Sequence, residues 1–514
     1  MKNKIIDEGA ILRASETLQS YRASKANLEA RLIDNEQWWR LRHCDKSSTT
    51  PSGWLFNSII NKHADAMDNI PTCSCLPREE RDRNAAELLD KILPCILEES
   101  GFEAIYSSCW YEKLKSGTAC YGVFWNPSLN MGLGNIDIHP VDILNLYWEP
   151  GVTDIQNAKN IFHVELWDNE LLSSKYPHIS DTLASPSIDV SHYIYDDTVD
   201  TADKSAVIDW YYKKKLGTKT VVHYCKFVNN TLLYASENDS EYSQRGYYDH
   251  GKYPFIIDSL YPVKGSICGF GIIDAMKGTQ KEIDILGSSI VKNAKMSAGR
   301  RFFVRADGAL NEREFADWDK PFVHYSGSGD PNSSIMPINI PALSPICVSI
   351  LNNKIDEMKE TSGNRDFSQG SVNGGVTAYN AILALQEAGN KTTRDMISGS
   401  YRAFESICHM LIELIRQFYT LPRCFRIAGS KGMDFISIKG DMLIAPIYDI
   451  KVRAHKKSAY SRAASNDLAC KLFDMGLFNE NNREAAKICL KMMDFDGRDE
   501  MLEMIRSSSA EVMA

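Results

Sequence analysis

Residue patterns that support catalysis or cofactor binding are incomplete in this sequence. The segment 268–274 places two glycines before a predicted helix, as a dinucleotide-binding loop does, but the third glycine is missing and Asp274 would repel a pyrophosphate. The glycine-rich turn 326–331 is not followed by the lysine and hydroxyl residue of a P-loop. His163-Val164-Glu165 matches half of a deaminase motif, and no Pro-Cys-x-x-Cys completes it. We therefore predict no cofactor and no enzymatic activity.

The thirteen cysteines and eleven histidines are dispersed rather than grouped in metal-binding spacings. Cys73 and Cys75 form the only close cysteine pair, and no C-x-x-C, H-E-x-x-H or G-x-S-x-G motif occurs. An odd number of cysteines without framework spacing is typical of free thiols in a reducing compartment. These patterns predict no metal site and a protein made in a cytoplasm.

The composition is that of a globular protein. Its 514 residues are 44% hydrophobic, 10% aromatic and 24% charged, and this length predicts about three or four domains, or one core with large insertions. Acidic residues outnumber basic ones by 67 to 58, and the net charge of −9 does not favour tight binding of nucleic acid. The first residues lack the apolar run of a signal peptide, and no stretch of about 18 apolar residues predicts a membrane span.

The hydrophobic pattern predicts an α+β fold. Helices are predicted over 8–44, 54–69, 79–99 and 101–116, with Pro71 and Pro77 ending the second. Strands are predicted over 119–125, 136–139, 160–167, 206–213, 220–228 and 231–236. Further strands are expected within 423–453, and helices between 458 and 507.

A helix–insertion–helix order occupies the middle of the chain. We predict a long helix over 271–297, a strand- and turn-rich insertion over 301–343 and a second helix over 345–360. The two helices are expected to pack as an antiparallel pair that holds the insertion away from the main body. Because a pair of helices is too narrow to make all the packing contacts that it needs, neighbouring copies in a ring could supply the missing ones.

A glycine-rich loop and a long helix follow this module. Four glycines within 361–376 indicate a flexible loop, and the helix then extends from 377 to about 419 with a weak point at Gly389. The heptad-like spacing of its second part predicts a central buried helix rather than a free coiled coil.

The helix 271–297 has two chemically different faces. The apolar face carries Ile272, Met276, Ile283, Leu286 and Ile290. The polar face, about 140° away, carries Lys277, Lys281, Asp284, Ser288, Lys292 and Lys295.

Several short segments, taken in order, resemble the portal proteins of tailed bacteriophages. They are Trp38-Trp39-Arg40, 57–71, 147–151 with 154–158, Tyr261-Pro262-Val263, Gly269-Phe270-Gly271 and 374–378. No single motif is diagnostic, but their combination and order cover roughly residues 30–507. The resemblance implies a ring, usually of twelve subunits, at one vertex of the phage head.

The resemblance also implies how the chain is divided. Residues 1–269 correspond to an N-terminal wing region, 270–298 and 345–360 to two stem helices, and 299–344 to the clip between them. Residues 361–376 correspond to a tunnel loop, 377–457 to tunnel and wing helices and strands, and 458–514 to a crown.

A portal role implies a set of partners. DNA is packaged through the channel by the terminase, whose large subunit meets the clip, and is later ejected; the head-to-tail adaptor then docks on the clip. The wing and crown face the major capsid and scaffolding proteins, so the protein is expected in the virion after assembly in the bacterial cytoplasm. Double-stranded DNA passing through the ring is expected to make only weak, non-specific contacts, and no membrane is involved.

Two sets of residues are the candidates for functional contacts. The tunnel-loop set is Asn364, Arg365, Asp366, Phe367, Ser368 and Gln369, which we predict to form the constriction. The stem set is Lys277, Lys281, Lys292 and Lys295, which face either DNA or a neighbouring subunit, or form a solvated outer face. Arg300 and Arg301 at the stem–clip border are predicted to contact phosphate or to form salt bridges with a neighbour.

Two alternatives stay open at this stage. One is a different structural ring protein of the head–tail connector, which the helix–insertion–helix–loop order disfavours. The other is an enzyme with an unrecognised site, which the incomplete motifs disfavour.

Overall fold

The computed structural model confirms the α+β class. It describes residues 5–44, 50–179, 203–298, 302–304, 311–317, 319, 321–322, 324, 326, 335–338, 343–363, 391–429, 432–440, 443, 449–456, 466–467, 469–471, 489–490 and 493. The helices are α1 (Glu8–Trp39), α2 (Trp54–Met67), α3 (Arg83–Glu99), α4 (Phe102–Ser116), α5 (Asn169–Lys175), α6 (Ile272–Ala298), α7 (Glu312–Ala316), α8 (Pro345–Ser362) and α9 (Lys391–Phe418).

Within the described residues, the strands fall into a five-stranded sheet, a three-stranded sheet and three two-stranded pairs. They are β1 (Asn69–Leu76), β2 (Thr118–Asn126), β3 (Asn135–Pro140), β4 (Leu146–Trp148), β5 (Asn160–Asp168), β6 (Lys204–Leu216), β7 (Lys219–Val228), β8 (Thr231–Ala235), β9 (Phe255–Ser259), β10 (Phe302–Val304), β11 (Ile335–Pro337), β12 (Arg423–Gly429), β13 (Gly432–Ile438) and β14 (Asp449–Lys456).

The chain forms two compact units. Unit 1 comprises residues 1–36, 59–274 and 372–514, and unit 2 comprises 37–58 and 275–371.

The five-stranded sheet of unit 1 has the antiparallel order β4-β5-β6-β7-β8. Because side chains alternate along a strand, one face carries apolar residues such as Phe162 and Ile208. The helix α1 contributes Ile11 and Leu18 to the same buried cluster. The sheet is therefore apolar on the face that α1 covers. Its other face carries the alternate side chains, among them His163, Asp209 and Lys226.

The three-stranded sheet β3-β2-β9 packs against α4 and α9 in unit 1. Apolar residues at helical spacing, including Phe404, Leu411 and Ile415, are buried along α9. This confirms the prediction of a buried central helix for the described part of 377–419. The part from 377 to 390 lies outside the described residues.

Two predictions of local structure need correction. The first helix ends at Trp39 rather than at 44, and Leu41 adopts a left-handed conformation (φ 54°) just after it. Pro71 was predicted only to end the second helix. It lies within β1, which pairs antiparallel with β14 from the far end of the chain. A proline is tolerated there because, in the part of the chain that the structure describes, β1 pairs with β14 alone, so the missing N–H of Pro71 can fall on an open edge.

Unit 2 contains the helix–insertion–helix order. The predicted helices 271–297 and 345–360 correspond to α6 and α8. Between them, β10 pairs antiparallel with β11, so that Phe302 lies opposite Pro337 and Val304 opposite Ile335. The two ends of the insertion are therefore held together by a short strand pair.

Candidate functional site

The predicted lysine face of α6 is only partly a solvent-facing surface. Lys281, Lys292 and Lys295 are exposed, and Lys277 is half-buried. All four lie in unit 2. Arg300, Arg301 and the whole predicted constriction, Asn364 to Gln369, lie outside the described residues.

Asp284 corrects the predicted amphipathic pattern. Helical spacing places it on the polar face with the lysines, yet its residue surface is only 2% exposed. Its Oδ1 accepts hydrogen bonds from the backbone N–H and the hydroxyl of Ser52, both at 2.7 Å, and from Gln280 Nε2 at 2.9 Å. A carboxylate with this many donors can be buried without a large penalty. The buried face of α6 is thus wider than its apolar residues indicate.

Gln280 completes the attachment of the 37–58 segment to α6. It is fully buried, and its Oε1 accepts a hydrogen bond from the backbone N–H of Leu55 at 2.9 Å. Its Nε2 donates to the Ser52 carbonyl at 3.0 Å. Because each buried polar atom named here has a partner, this network fixes the position of the segment along the helix.

The two long helices of unit 2 contact each other through charged groups. Lys354 Nζ on α8 lies 2.9 Å from a carboxylate oxygen of Glu282 on α6 and 2.9 Å from one of Glu357. These side chains are partly exposed, so the ion pairs orient the helices more than they stabilise them.

Apolar side chains of the same helices are left exposed in the single chain. Ile346 on α8 is 62% exposed and Val291 on α6 is 52% exposed. Ile285, Val348 and Ile350 are exposed in the same way. These exposed apolar residues of one module are candidates for a protein–protein contact.

In unit 1, a buried ion pair holds α9 in place. Lys113 Nζ on α4 lies 2.7 Å from Asp258 Oδ1 on β9 and also donates to Ser400 Oγ on α9 at 2.8 Å. Ser400 Oγ in turn donates to Asp258 Oδ2 at 2.5 Å. Burial lowers the pKa of Lys113, while Asp258 counteracts this effect. The helix that follows the predicted loop is therefore positioned by charges from two other elements.

The polar face of the five-stranded sheet lines a cavity of about 510 Å³, which no motif in the sequence predicts. His163, Asp209 and Lys226 lie side by side on β5, β6 and β7, because the strand register pairs His163 with Asp209 and Asp209 with Lys226. Lys226 Nζ is 3.1 Å from Asp209 Oδ1, and the hydroxyl of Tyr224 donates to the same oxygen at 2.8 Å. The alternation of polar and apolar residues along β5–β7 could have revealed this face.

Burial disfavours the charged form of both His163 and Lys226, but the net pKa shifts of the two groups are opposite. Burial lowers the pKa of the His163 imidazole, which favours the neutral ring, although Glu165 and Asp209 act in the opposite sense. For Lys226, burial alone would lower the pKa, but the carboxylates of Asp209 and Glu165 raise it. The half-motif His163-Val164-Glu165 is thus part of a buried charge cluster that contains a lysine.

Within the described ranges, no helix is both long and apolar enough to cross a membrane. No curated protein shows significant similarity to the chain. The family model described as phage P22-like portal protein matches residues 58–513, which is nearly the whole chain. That span includes α6, the strand pair at the ends of the insertion, α8 and α9, and most of the short segments that carry the resemblance to portal proteins. The chain therefore belongs to the phage P22-like portal protein family.

Proposed function

We propose that this portal protein forms a ring around a DNA channel at one vertex of the phage capsid. The observation that carries the proposal is the separate helix–insertion–helix module of unit 2, whose helices expose Val291 and Ile346 in the single chain. In a closed ring, each copy presents one surface to the next copy and a different surface to the previous one. Such contacts would cover apolar residues that one chain cannot cover.

The proposed division of the chain follows the element order. Residues 1–269 form the wing region, α6 within 270–298 and α8 within 345–360 form the stem, and 299–344 form the clip. Residues 361–376 form the tunnel loop, 377–457 the tunnel and wing elements, and 458–514 the crown. The compact unit that contains 275–371 supports the stem and clip part of this division, while the network around Gln280 and Asp284 attaches the 37–58 segment of the proposed wing region to the first stem helix.

The ring is proposed to pass DNA in both directions, during packaging by the terminase and during ejection. A channel with this task must not hold DNA strongly, since each neutralised phosphate adds a salt-dependent contribution to binding. A chain of net charge −9 with exposed lysines on one helix combines general repulsion with weak local attraction. The clip is proposed to meet the large terminase subunit and later the head–tail adaptor, and the wing and crown to face capsid and scaffolding proteins.

Electron microscopy of the purified full-length protein tests the ring. Class averages sorted by symmetry are expected to show rings of about twelve subunits with a central channel. Replacing Ile346 with Glu is expected to reduce ring formation. Leu171→Glu is the matched control, because Leu171 is 67% exposed but lies in unit 1. A closed dimer, or a ring without a channel, would contradict the proposal.

A packaging assay separates the two roles proposed for the lysine face. In the test variant, all four lysines of the α6 face are replaced with Gln. The control variant carries the same change at four exposed lysines of unit 1, namely Lys215, Lys219, Lys252 and Lys264. If the face contacts DNA, the test variant forms rings but packages with an altered salt dependence. If it contacts a neighbouring subunit, ring formation itself falls. Unchanged assembly and packaging would remove both roles.

Deleting residues 364–370 tests the constriction. We expect intact rings that package DNA poorly or fail to retain it. Normal packaging and retention by the deletion variant would contradict a constriction at this loop. Assays of the wild-type ring for nuclease and ATPase activity complete the set, since a portal subunit without its motor is expected to show neither.

A further inference from the structure

Two clusters within the described part of the chain bring three metal-binding side chains together. One contains His43, Cys44 and Asp284 in unit 2, and the other contains His163, Glu165 and Asp209 in unit 1. In the second cluster, the ammonium of Lys226 lies 3.1 Å from Asp209 and already supplies the positive charge. In the first cluster, the groups that hold Asp284 Oδ1 are the neutral donors of Ser52 and Gln280. The first cluster is therefore the better candidate for a metal ion.

Two of the three distances in the first cluster lie near those of a tetrahedral site. His43 Nε2 lies 3.0 Å from Asp284 Oδ2, and Cys44 Sγ lies 4.0 Å from the same oxygen. The three ligating atoms all lie within 4.8 Å of one another. Zinc bonds of about 2.1 Å to nitrogen and oxygen and about 2.3 Å to sulfur give tetrahedral edges of roughly 3.4 Å for N···O and roughly 3.6 Å for S···O. Shifts of about 0.4 Å in each pair would bring the atoms to these edges.

The surroundings of Asp284 and His43 orient their ligating atoms. Three hydrogen bonds from Ser52 and Gln280 occupy Asp284 Oδ1, so that Oδ2 faces His43 and Cys44. The indole of Trp38 stacks on the imidazole of His43, with ring centroids 3.8 Å apart and planes 10° apart. Outer contacts that hold the ligands in this way are a regular feature of metal sites in proteins.

We propose that His43 Nε2, Cys44 Sγ and Asp284 Oδ2 bind a divalent ion of the zinc class, with water as the fourth ligand. A mixed nitrogen, sulfur and oxygen set with an open position suits this ion. On binding, the Cys44 thiol gives up its proton, and the neutral His43 ring carries its hydrogen on Nδ1 instead of on Nε2, which faces Asp284. One proton is therefore released to solvent for each ion bound near neutral pH. The ion would fasten the 37–58 segment to α6 within unit 2. The proposal is independent of the ring and of the DNA channel.

Cobalt titration of the chelator-treated, full-length protein tests the site, because Co²⁺ accepts the same ligands and is coloured. We expect one ion per chain, a thiolate-to-cobalt charge-transfer band in the near ultraviolet, and loss of this band when Zn²⁺ is added. Cys44→Ser should remove the charge-transfer band and weaken binding at least tenfold. Cys347→Ser is the matched control, because Cys347 is also a half-buried thiol of unit 2 and should leave both properties unchanged.

A second variant checks the role of the outer contacts. Ser52→Ala removes one of the three donors to Asp284 Oδ1 but keeps the backbone donor, and it should weaken cobalt binding roughly tenfold to a hundredfold while the thiolate band remains. The melting temperature of Cys44→Ser in chelator should match that of the wild type, which shows that the variant is folded. Absence of stoichiometric binding by the wild type would overturn the site. A band that persists in Cys44→Ser would overturn it equally.

Discussion

Removal of the Lys113 ammonium should release α9 from the sheet that it covers. Lys113 is 1% exposed and its partner Asp258 is 3% exposed, so this ion pair is almost completely shielded from water. Lys113→Met keeps the length of the side chain but removes the ammonium that donates to the carboxylate of Asp258, which still accepts a hydrogen bond from the hydroxyl of Ser400. Breaking a buried pair by removing one partner typically costs about 3–5 kcal/mol, mainly because the other charge stays buried.

Amide hydrogen exchange measured by mass spectrometry reports this loss locally. At about 1.4 kcal/mol for each tenfold change, the expected cost corresponds to exchange roughly 10²- to 10⁴-fold faster. The acceleration should appear in the peptides of α9 (Lys391–Phe418) and β9 (Phe255–Ser259), which carry Ser400 and Asp258. A local measurement is needed because a chain of two units does not unfold in a single two-state step.

Two further variants decide whether charge or packing causes the effect. The triple variant K113M/D258L/S400A replaces the whole network with apolar groups, and it should exchange within about tenfold of the wild type because no buried charge is left unpaired. Lys91→Met is the control, since Lys91 is exposed on α3 and surface changes usually alter stability by less than about 0.5 kcal/mol. If K113M exchanges like the wild type, or if the triple variant is as labile as K113M, the electrostatic explanation is wrong.

Three other perturbations test separate parts of unit 1. Burial lowers the pKa of His163 and lowers that of His250 to about 4. An unfolded histidine has an ordinary pKa of about 6.5, so below this pH the unfolded chain binds more protons than the folded chain. Their contribution to the free energy of unfolding is therefore fully present above pH 6.5, and that of His250 should fall by roughly 2–3 kcal/mol as the pH drops towards 4. His250→Gln should flatten the plot of melting temperature against pH. Lys25→Met should cost about 2–4 kcal/mol, because Lys25 Nζ donates to three backbone carbonyls of the 143–146 turn, and limited proteolysis should then cleave α1 sooner. Gly117→Ala should lower the urea midpoint far more than Gly132→Ala, since both glycines have positive φ but only at Gly117 would a Cβ lie 2.2 Å from backbone.

Periodic segments could be predicted from the sequence because their signal is local. The 3.6-residue spacing of Phe404, Leu411 and Ile415 predicts one buried stripe, and α9 buries all three. The strands β5 to β8 were predicted to within a few residues from apolar and β-branched residues bounded by turns. The family could also be predicted, because the resemblance depends on several short segments taken in order and not on any one of them.

Contacts between distant parts of the chain could not be predicted in this way. The strand β1 pairs with β14, so Asn69 lies opposite Lys456, and no pattern near residue 70 indicates that partner. Asp284 looks like a surface residue on a helical projection, because the serine that makes it buriable lies 232 residues earlier. Hydrophobic periodicity assigns a charged residue to solvent by default, and only its hydrogen-bond partners can reverse that assignment.

Buried polar contacts of this kind have a common consequence for the fold. Lys25, Lys113 and Asp284 each lie on one element and bind groups on another that is more than a hundred residues away in sequence. A buried charge with all its partners adds little net stability. If its helix packed one turn out of place, the charge would be buried without its partners, which costs about 3–5 kcal/mol. These residues therefore act mainly by excluding misaligned packing of α1, α6 and α9. In the proposed ring, a subunit would gain from such selectivity, because an error in one copy would recur at every interface that the copy makes.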